Sequence, residues 1–593
     1  MSPEKEVGRE LRTIVEIEQD FCQLAYGVAP CAAALGVTGD RKCFNTLATC
    51  QDPEHYTPGK LVVRFCKPTQ TLPSVPAIPL VVDVTTAPTE INPGGAGGNS
   101  GALGKRARVT VTFQDAPHSD IGVDPYVAER GYDAMERGTF WSKWLARNPY
   151  YNGRVLRIRE GYVGQDLGDM ITRTYLIDKI DGPDTKGRVK VTALDILALA
   201  DNDKAQAPAA STGELVAEIA DIPAGTPDPV TLAEIEIAGA AAADYPAPGT
   251  VRINDELMTY TGVTVSGETI KLTGVTRRTD GSEAQSHSEG DRVQLCLRYE
   301  NVRVDALTRE WLVDYGGVPA GFIPWSDWQA EADVWLAQFD LTGLITEPTG
   351  VQDLLAEITE QCLFYVWWDE RAQLIRLAAI RPPESDVPLL AGEANILADS
   401  AELSQDPGGR WSQVWVYWGQ RDPTEKLDKD SNYRHLRVRA DVEAESANQY
   451  GEQRIKKIFS RWLHSEAQAI NVTTRLLNRY RDNPQYMTLD LDAKDREHWT
   501  GDVVDVEHRS VVDDTGLPVR VRWQIVSAEE KEPGHSVTYK LFAYEFKISG
   551  RPGYWMPIDA PDYADATEEE KEAGAWWADE NGLIGDDKGF AWI

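Results

Sequence analysis

The amino-acid sequence predicts a β-dominant α+β protein built from several domains. Its 593 residues exceed the usual size of a single domain several times over, so one hydrophobic core cannot serve the whole chain. Short segments of alternating polar and apolar residues, separated by Gly- and Asp-rich turns, predict strands over most of the length. Helical spacing of apolar residues is confined to a few inserts, which makes helices the minor component.

Shifts in composition and patterning predict six units. In chain order they are a Cys-rich module over 1–75, a β-barrel domain with an aromatic loop insertion over 76–206, a small inserted β domain over 207–300, an α/β domain over 301–400, a second α/β domain with a long helix over 401–550, and an acidic aromatic C-terminal tail over 551–593. No repeat of roughly 20–50 residues runs through these units, so neither a solenoid nor a propeller is predicted.

Two strands frame the first unit. Residues 9–21 alternate and are rich in β-branched side chains, which predicts a strand that leads into Cys22. LVVRFC at 61–66 predicts the second strand, and the Gly- and Pro-containing segment between them is predicted to be a loop. The Gly-rich run at 92–104 has neither dinucleotide-loop spacing nor a P-loop Lys-Ser/Thr, so we interpret it as a flexible linker or loop tip.

Short strands also predominate over 107–300. Four of them recur up to residue 200, and the aromatic insertion at 126–151 separates the first two, a pattern typical of a small barrel with one decorated loop. Residues 201–213 mark a boundary, and residues 214–300 predict a second β-rich unit that contains a hairpin.

The rest of the chain mixes helices and strands. Helical spacing occurs in TREWLVDYGG, DWQAEADVWLAQF and GVQDLLAEITEQC. Two strands then surround the polar turn Asp369–Ala372, and a strand at 411–418 carries aromatic residues on both faces. A helix is predicted over 443–481, ending before Pro484, and strands return over 501–546.

The net charge and the N-terminal sequence disfavour several classes of protein. The net charge of −34 disfavours non-specific nucleic-acid binding over the whole surface. The sequence contains no apolar stretch long enough for a membrane span, and MSPEKEVGRELR lacks the apolar run of a secretory signal. We therefore expect synthesis in a reducing cytoplasm, where structural disulfides are rare.

Motifs for catalysis are missing from the sequence. It contains no HExxH, no GxSxG and no GxxxxGK[ST], and its eight histidines are scattered. Cys362 lies in LFYVWW surroundings, which favour burial over nucleophilic reactivity. We expect a protein without enzymatic activity.

Four of the seven cysteines fall within 29 residues near the chain start, with the spacing C-x8-C-x11-C-x6-C. They are Cys22, Cys31, Cys43 and Cys50. Four thiolates on Gly-rich loops can hold either Zn²⁺ or an iron–sulfur cluster, and the nearby His55 can replace one ligand. A disulfide pair and unrelated buried thiols are the alternatives. The spacing favours a metal site and leaves the metal open.

The residues between these cysteines carry a resemblance. Cys22 is followed by Tyr-Gly-x-x-x-Cys and then by Lys-Cys-Phe-Asn-Thr-x-x-x-Cys-Gln-Asp. The segment resembles the cysteine module of tail-tip and baseplate hub proteins from long-tailed, siphophage-type bacteriophages, lambda-type phages and gene transfer agents included. In that family the four cysteines hold a [4Fe–4S] cluster, so the resemblance implies Cys22, Cys31, Cys43 and Cys50 as ligands, with Zn²⁺ as the alternative.

The resemblance also implies a role for the cluster. Four thiolates leave no open iron position for Lewis-acid chemistry, and a metal can supply folding energy that a module of this size lacks. We interpret the cluster as structural and expect Cys43→Ser or Cys50→Ser to unfold residues 1–70 and impair tail assembly. Cys66 lies outside the pattern and is interpreted as a core thiol.

A second, partial resemblance lies at 249–296. This segment is similar to a small β domain inserted in phage tail proteins, whose typical pattern runs Gly-x-Val-x-Ile-x-x-Glu and then Arg-Gly-x-x-Gly-Thr-x-x-x-x-His-x-x-Gly. Here we place Arg278-Thr279 where Arg-Gly is common. Residues 107–200 and 302–546 resemble the barrel and split domains of tail hubs in pattern more than in identity.

The family resemblance implies a structural tail-tip hub in the virion, made in the host cytoplasm. It would form a homotrimeric ring that joins the tail tube and distal tail protein to the central tip and fibres, and that opens for genome ejection. DNA would be a partner only in transit, with no stable membrane insertion. The alternatives are a cytosolic iron–sulfur redox protein and a tail-associated cell-wall hydrolase.

The C-terminal tail is too short and acidic to form its own core. It is expected either to be disordered or to dock as a peptide, and its aromatic residues favour docking, with the central tip or fibre protein as the expected partner. The expected anchors are Trp576, Trp577, Phe590 and Trp592.

Overall fold

A computed structural model describes most of the chain and confirms the β-dominant α+β class. The described residues are 9–548 apart from 73–74, 93–103, 224, 382–386, 442–452, 482 and 533, together with 551–554, 565 and 567. Most of the predicted Gly-rich linker and nearly all of the C-terminal tail therefore lie outside the described residues. Among the helices that are described, none has the length and apolarity needed to cross a membrane.

The first sheet contains seven antiparallel strands, which lie in the order β2-β1-β5-β6-β7-β4-β3. They are β1 (Leu11–Cys22), β2 (Pro58–Cys66), β3 (Val81–Ala87), β4 (Arg108–Gln114), β5 (Val155–Tyr162), β6 (Ile171–Asp181) and β7 (Arg188–Leu194). Just before β3, the Ile78 carbonyl accepts from Cys66 N (3.0 Å) and Ile78 N donates to the Arg64 carbonyl (2.8 Å). The two ends of the strand order therefore meet.

The main core of the first two units packs against this sheet. Alternate residues of β4 and β7 are buried, as a strand with one solvated face requires. The aromatic insertion contributes helix α1 (Phe140–Arg147), in which Trp141 stacks on Phe65 with ring centroids 5.6 Å apart. The predicted units 1–75 and 76–206 thus contribute strands to one sheet, and the cysteine segment is a loop between its neighbours β1 and β2.

The second sheet covers most of 207–300 and extends into the next unit. After the short β8 (Gln206–Ala207), its strands are β9 (Glu214–Leu215), β10 (Thr231–Ala238), β11 (Gly249–Ile253), β12 (Glu256–Tyr260), β13 (Gly262–Ser266), β14 (Thr269–Thr276), β15 (Val293–Arg303) and β16 (Asp340–Ile345). Their order is β16-β15-β11-β12-β14-β10-β9, with β13 pairing β14.

The motif pattern at 249–296 has a structural counterpart in this sheet. Glu256 is fully buried and accepts from Arg277 Nε (2.9 Å) and Nη2 (2.7 Å), and its Oε2 lies 2.9 Å from His287 Nε2. Arg278 has φ +55°, in the left-handed region that favours glycine. The pair Arg277-Arg278, rather than Arg278-Thr279, therefore takes the place of Arg-Gly.

The largest core lies under the helices of the middle of the chain. These are α2 (Val304–Glu310), a π-helical turn at Trp311–Tyr315, α3 (Trp325–Trp335) and α4 (Val351–Cys362), with the strands β17 (Thr349–Gly350), β18 (Phe364–Asp369) and β19 (Leu374–Ala379). Leu363, at φ +60°, ends α4 and leads directly into the β18–β19 hairpin. The predicted strands around Asp369–Ala372 are confirmed.

The third sheet has six strands in the order β20-β26-β27-β28-β25-β21. A separate group pairs in the order β23-β22-β24, and a last hairpin joins β29 to β30. The bounds are β20 (Leu389–Ala391), β21 (Glu402–Gln405), β22 (Gln413–Gln420), β23 (Tyr433–Ala440), β24 (Ile455–Phe459), β25 (Gln485–Asp492), β26 (Val503–Val512), β27 (Pro518–Glu532), β28 (Ser536–Ala543), β29 (Glu545–Ile548) and β30 (Arg551–Tyr554).

The predicted helix over 443–481 is wrong in its first described part. Residues 455–459 form β24, which pairs in parallel with the aromatic strand β22, so tertiary pairing overrides the helical pattern. The helix α5 (Glu466–Tyr480) begins later because Ser465 caps it. Ser465 Oγ accepts from Gln468 N (3.3 Å), and Gln468 Oε1 accepts in return from Ser465 N (3.3 Å).

Candidate functional site

The four clustered cysteines line one pocket at the end of the first sheet. Cys22 is the last residue of β1 and is buried, whereas Cys31, Cys43 and Cys50 lie on the loop 23–57 and are partly exposed. The structure therefore brings together all four residues that the motif singles out, although they span 29 positions of sequence.

All seven cysteines are free thiols. Burial, together with the neighbouring Cys50, Cys31 and Cys22, raises the pKa of Cys43 above its usual value. The pKa of Cys50 is raised in the same way, by burial first and by Cys22 and Cys31 next. Four thiolates without a cation would repel one another, so the group is suited to binding a positively charged centre that stabilises the thiolate form.

Asn45 ties the segments that carry the cysteines together. Its carbonyl accepts from Cys22 N (2.6 Å), and its side-chain Nδ2 donates to the carbonyls of Cys22 (3.1 Å) and Leu24 (3.2 Å). Its Oδ1 accepts from Cys43 Sγ (3.4 Å). Asn45 adopts φ +55°, which Asn tolerates better than most side chains. The Asn of Lys-Cys-Phe-Asn-Thr thus positions two of the cysteines.

Asp52 joins the other two cysteines. Its backbone N donates to Cys50 Sγ (3.4 Å), and its carboxylate accepts from Ala32 N (2.7 Å), the residue after Cys31. His55 also lines the pocket, with Nδ1 3.0 Å from the Asp52 carboxylate. The hydrogen bond from Ala32 N, followed by that from His55, lowers the pKa of Asp52. The predicted substitute ligand His55 is therefore engaged by an acidic neighbour.

The aromatic insertion holds the cysteine loop from outside. Arg130 donates to the carbonyls of Lys42 (2.6 Å) and Cys43 (2.9 Å), forms two 2.8 Å bonds to Asp124, and lies 4.0 Å from the Phe44 ring centroid. Sequence reasoning recognised the insertion but missed this contact. The sequence carries little sign of this contact, because Arg130 lies 87 positions from Cys43 and no local spacing connects the two.

A second bridge to the insertion reinforces the first. The Tyr126 hydroxyl accepts from Tyr26 N (2.7 Å), and Lys42 Nζ pairs with Glu129 (2.7 Å). The two contacts lie on either side of Cys31 in the chain, so the loop is held along much of its length.

The other cysteines lie elsewhere. Cys66 is fully buried on β2, in a small core with Ile14, Leu72 and Met170, and burial raises its thiol pKa. Cys296 and Cys362 are buried in separate cores, and burial raises the pKa of Cys296 to about 12. The interpretation of Cys66 as a core thiol agrees with its place in the structure.

Zinc and an iron–sulfur cluster place different demands on four cysteine donors. Across the described residues, no three Cys, His, Asp or Glu side chains are arranged to hold a single metal ion. A mononuclear zinc site needs all four sulfurs at ~2.3 Å from one ion. An iron–sulfur cluster takes one thiolate on each of several irons and so accepts sulfurs that stand further apart. The four thiols that line the pocket are a donor set that either centre can use.

The fold and this four-thiol pocket define a β-dominant multidomain protein with a cysteine loop on its first sheet. Neither a family model nor a curated protein matches the chain. Among solved structures, it is similar to a tail protein from Neisseria meningitidis MC58, with 11% identity and a TM-score of 0.34 over 77% of this chain and 91% of that one.

Two further structures overlap with the fold. The 43 kDa tail protein of prophage MuSo2 from Shewanella oneidensis is 10% identical, with a TM-score of 0.34 over 77% of this chain and 92% of that one. A chain from the virion of a native gene transfer agent particle is 12% identical, with a TM-score of 0.30 over 61% of this chain and 94% of that one. Overlap at this level is partial, so function is argued from the cysteine site.

Proposed function

We propose that this chain is a structural tail-tip, or baseplate hub, protein of a long-tailed phage. It joins the tail tube and distal tail protein to the central tip and fibres and forms part of the DNA exit conduit. The observation that carries the proposal is the meeting of Cys22, Cys31, Cys43 and Cys50 in one pocket. If the motif binds a cluster as in the tail-tip family, these four side chains must lie close together. Their spacing in the sequence does not by itself predict this.

The pocket would hold a [4Fe–4S] cluster through these four thiolates. The flanking residues support the cluster over Zn²⁺, because they match the motif of a family that carries the cluster. When bound, the cluster supplies cross-links among Cys22 and three points of the loop. The backbone N–H of Asp52 and the side chain of Asn45 orient two of the sulfurs.

The cluster would act as a structural cross-link. The loop 23–57 contains only two short 3-10 turns, Leu47–Thr49 and Pro53–His55, so it has little regular structure of its own. Long loops inside compact domains need such support to hold one conformation. Four protein ligands leave no open position for substrate, so we propose a role without enzymatic activity.

Assembly follows from the family resemblance. The protein would work as a homotrimeric ring in the virion, at the tail tip, after synthesis in the host cytoplasm. The net charge of −34 suits a conduit through which DNA passes without being retained, because negative walls repel phosphate.

Electron microscopy of virions labelled with an antibody to this chain tests the proposal. The expected result is label confined to the tail tip, with three copies per particle by quantitative mass spectrometry of the purified virion. Label along the tail tube, on the capsid or on no particle at all would contradict the hub assignment.

A further inference from the structure

A cleft of about 590 Å³ lies between the β18–β19 hairpin and the loop 497–502 that leads into β26. Its volume falls in the range of pockets that bind ligands, roughly 300–1,000 Å³. It is separate from the cysteine pocket, since the two share no lining residue. Its chemistry is mixed, with aromatic walls and buried donors.

The aromatic walls come from four side chains. Tyr365 and Trp367 lie on β18, and Trp499 and Tyr544 also line the cleft. Arg371 stacks over the Trp499 ring, with its guanidinium carbon 3.7 Å from the centroid. Flat, rigid faces of this kind bind other aromatic side chains at low entropic cost.

Two of the lining side chains have buried donors that find no acceptor within the described part of the chain. They are Trp367 Nε1 and Arg371 Nε. Leaving such a donor unsatisfied is unfavourable, and more so when it is charged. Nearby carboxylates are already engaged, since Asp369 accepts from Arg371 N (3.1 Å) and Asp502 accepts from Trp499 N (2.9 Å). An occupant that offers oxygen acceptors and aromatic rings would complete the cleft.

We propose that the occupant is this chain's own C-terminal segment, residues 555–593. Tyr544 lines the cleft, and the next residue, Glu545, pairs with Tyr554 across the β29–β30 hairpin. Paired Cα atoms of antiparallel strands lie about 4.5–5.5 Å apart. The C-terminal segment therefore leaves the described chain one strand spacing from the wall of the cleft.

The composition of the segment supplies the acceptors and aromatic rings that would fill the cleft. Its 39 residues carry eleven acidic and two basic side chains, so it is rich in acceptors. Its carboxylates can accept from Trp367 Nε1 and Arg371 Nε, and charge-assisted bonds of this type are strong. Its aromatic residues can pack on the walls, and the short tether raises their effective concentration at the cleft. This inference does not depend on the cluster or on the tail-tip role.

Hydrogen exchange tests the contact. We compare the full chain with a chain that ends at Tyr554, then add a synthetic peptide of residues 555–593 to the shortened chain. The expected result is slower exchange in 364–381 and 497–503 of the full chain, loss of that protection on truncation, and its return with the peptide. Equal exchange in the full and shortened chains, or no effect of the peptide, would overturn the proposal.

A matched pair of variants distinguishes the cleft from other surfaces. Ala372 is exposed at the cleft, and Ala372→Glu places a carboxylate there that repels the acidic segment. Ala217→Glu makes the same change at an exposed position of the unit 207–300. We expect the first to weaken peptide binding to the shortened chain at least about tenfold and the second to leave it unchanged. Equal binding by both would contradict the cleft as the site.

A dilution series decides whose segment is bound. Protection that is independent of protein concentration supports the contact within one chain. Protection that fades on dilution, together with a dimer mass by light scattering, would assign the segment to a second copy and overturn the proposal as stated.

Discussion

Arg130→Ala removes the side chain that links the cysteine loop to the aromatic insertion. Arg130 is 4% exposed and its partner Asp124 is 1% exposed, so both charges are buried. The guanidinium also satisfies the carbonyls of Lys42 and Cys43. The substitution therefore leaves a buried carboxylate and two backbone acceptors without their donor.

The expected cost is large but local. Breaking a buried ion pair by removing one partner costs about 3–5 kcal/mol. Because the loop lies at the surface, water can enter and offset part of this, and we expect roughly 3 kcal/mol of lost local stability. A loss of this size raises the open fraction of the loop by about two orders of magnitude. The seven-stranded sheet should keep its stability, since the Arg130 side chain donates to Asp124, Lys42 and Cys43, none of which lies in its strands.

Hydrogen exchange of residues 40–50 measures this opening, and Asp124→Ala with the double variant forms the control cycle. The cycle should show strong coupling between Arg130 and Asp124, because each single variant leaves the other charge unpaired. Arg130→Lys should rescue little, because an ammonium cannot reproduce the forked contacts. Unchanged exchange in Arg130→Ala, at full iron content, would refute the view that the insertion holds the loop.

Three other perturbations have defined outcomes. Asn45→Ala should speed iron loss. The substitution removes the two hydrogen bonds that Asn45 Nδ2 donates, worth about 1 kcal/mol each, and leaves alanine at positive φ. A chelator challenge measures the rate of iron loss. Cys43→Ser should lower the amount of bound iron and make only the loop 23–57 accessible to protease, because β1 and β2 belong to the seven-stranded sheet. Cys66→Ala should retain its iron. Burial opposes the ionisation of Glu256, but the hydrogen bonds from His287 and Arg277 together outweigh it and lower the pKa of Glu256 from 4.5 to about 2. The shift contributes roughly 3 kcal/mol of stability above pH ~4.5, which is lost as the pH falls toward 2. Glu256→Gln should flatten this acid dependence in urea unfolding followed by hydrogen exchange at residues 207–300.

For each of these three predictions, a specific result would contradict the reasoning. Iron loss from Asn45→Ala at the parent rate would deny that Asn45 positions the cysteines. Iron loss from Cys66→Ala would add a fifth residue to the site. An acid profile of Glu256→Gln that matches the parent would show that the buried carboxylate is not the group whose protonation destabilises the domain.

The strands and the cysteine grouping were accessible from sequence because their signals are local. The alternation of residues 9–21 gives β1, and the motif residues between Cys22 and Cys50 anticipate a shared pocket. The role of Asn45 was within reach for the same reason, because it lies inside the motif. The sequence predicts that a cysteine variant unfolds all of residues 1–70. The structure limits the expected unfolding to the loop, because pairing with β5 supports β1 independently of the loop.

The remaining features depend on contacts between distant positions. Arg130 meets Cys43 only after the insertion folds over the loop, and β24 becomes a strand only because β22 offers it an edge. The place of Arg278 at positive φ is a backbone property that side-chain patterning does not report. Propensity and spacing capture none of these, since each is decided by tertiary structure.

The most direct test of the central claim is the iron and acid-labile sulfide content of the full chain after anaerobic purification. We expect about four of each per chain, reduced in Cys22→Ser, Cys31→Ser, Cys43→Ser and Cys50→Ser and retained in Cys66→Ala. A full chain that holds one zinc and no sulfide, or that holds no metal while all four thiols react freely, would contradict it.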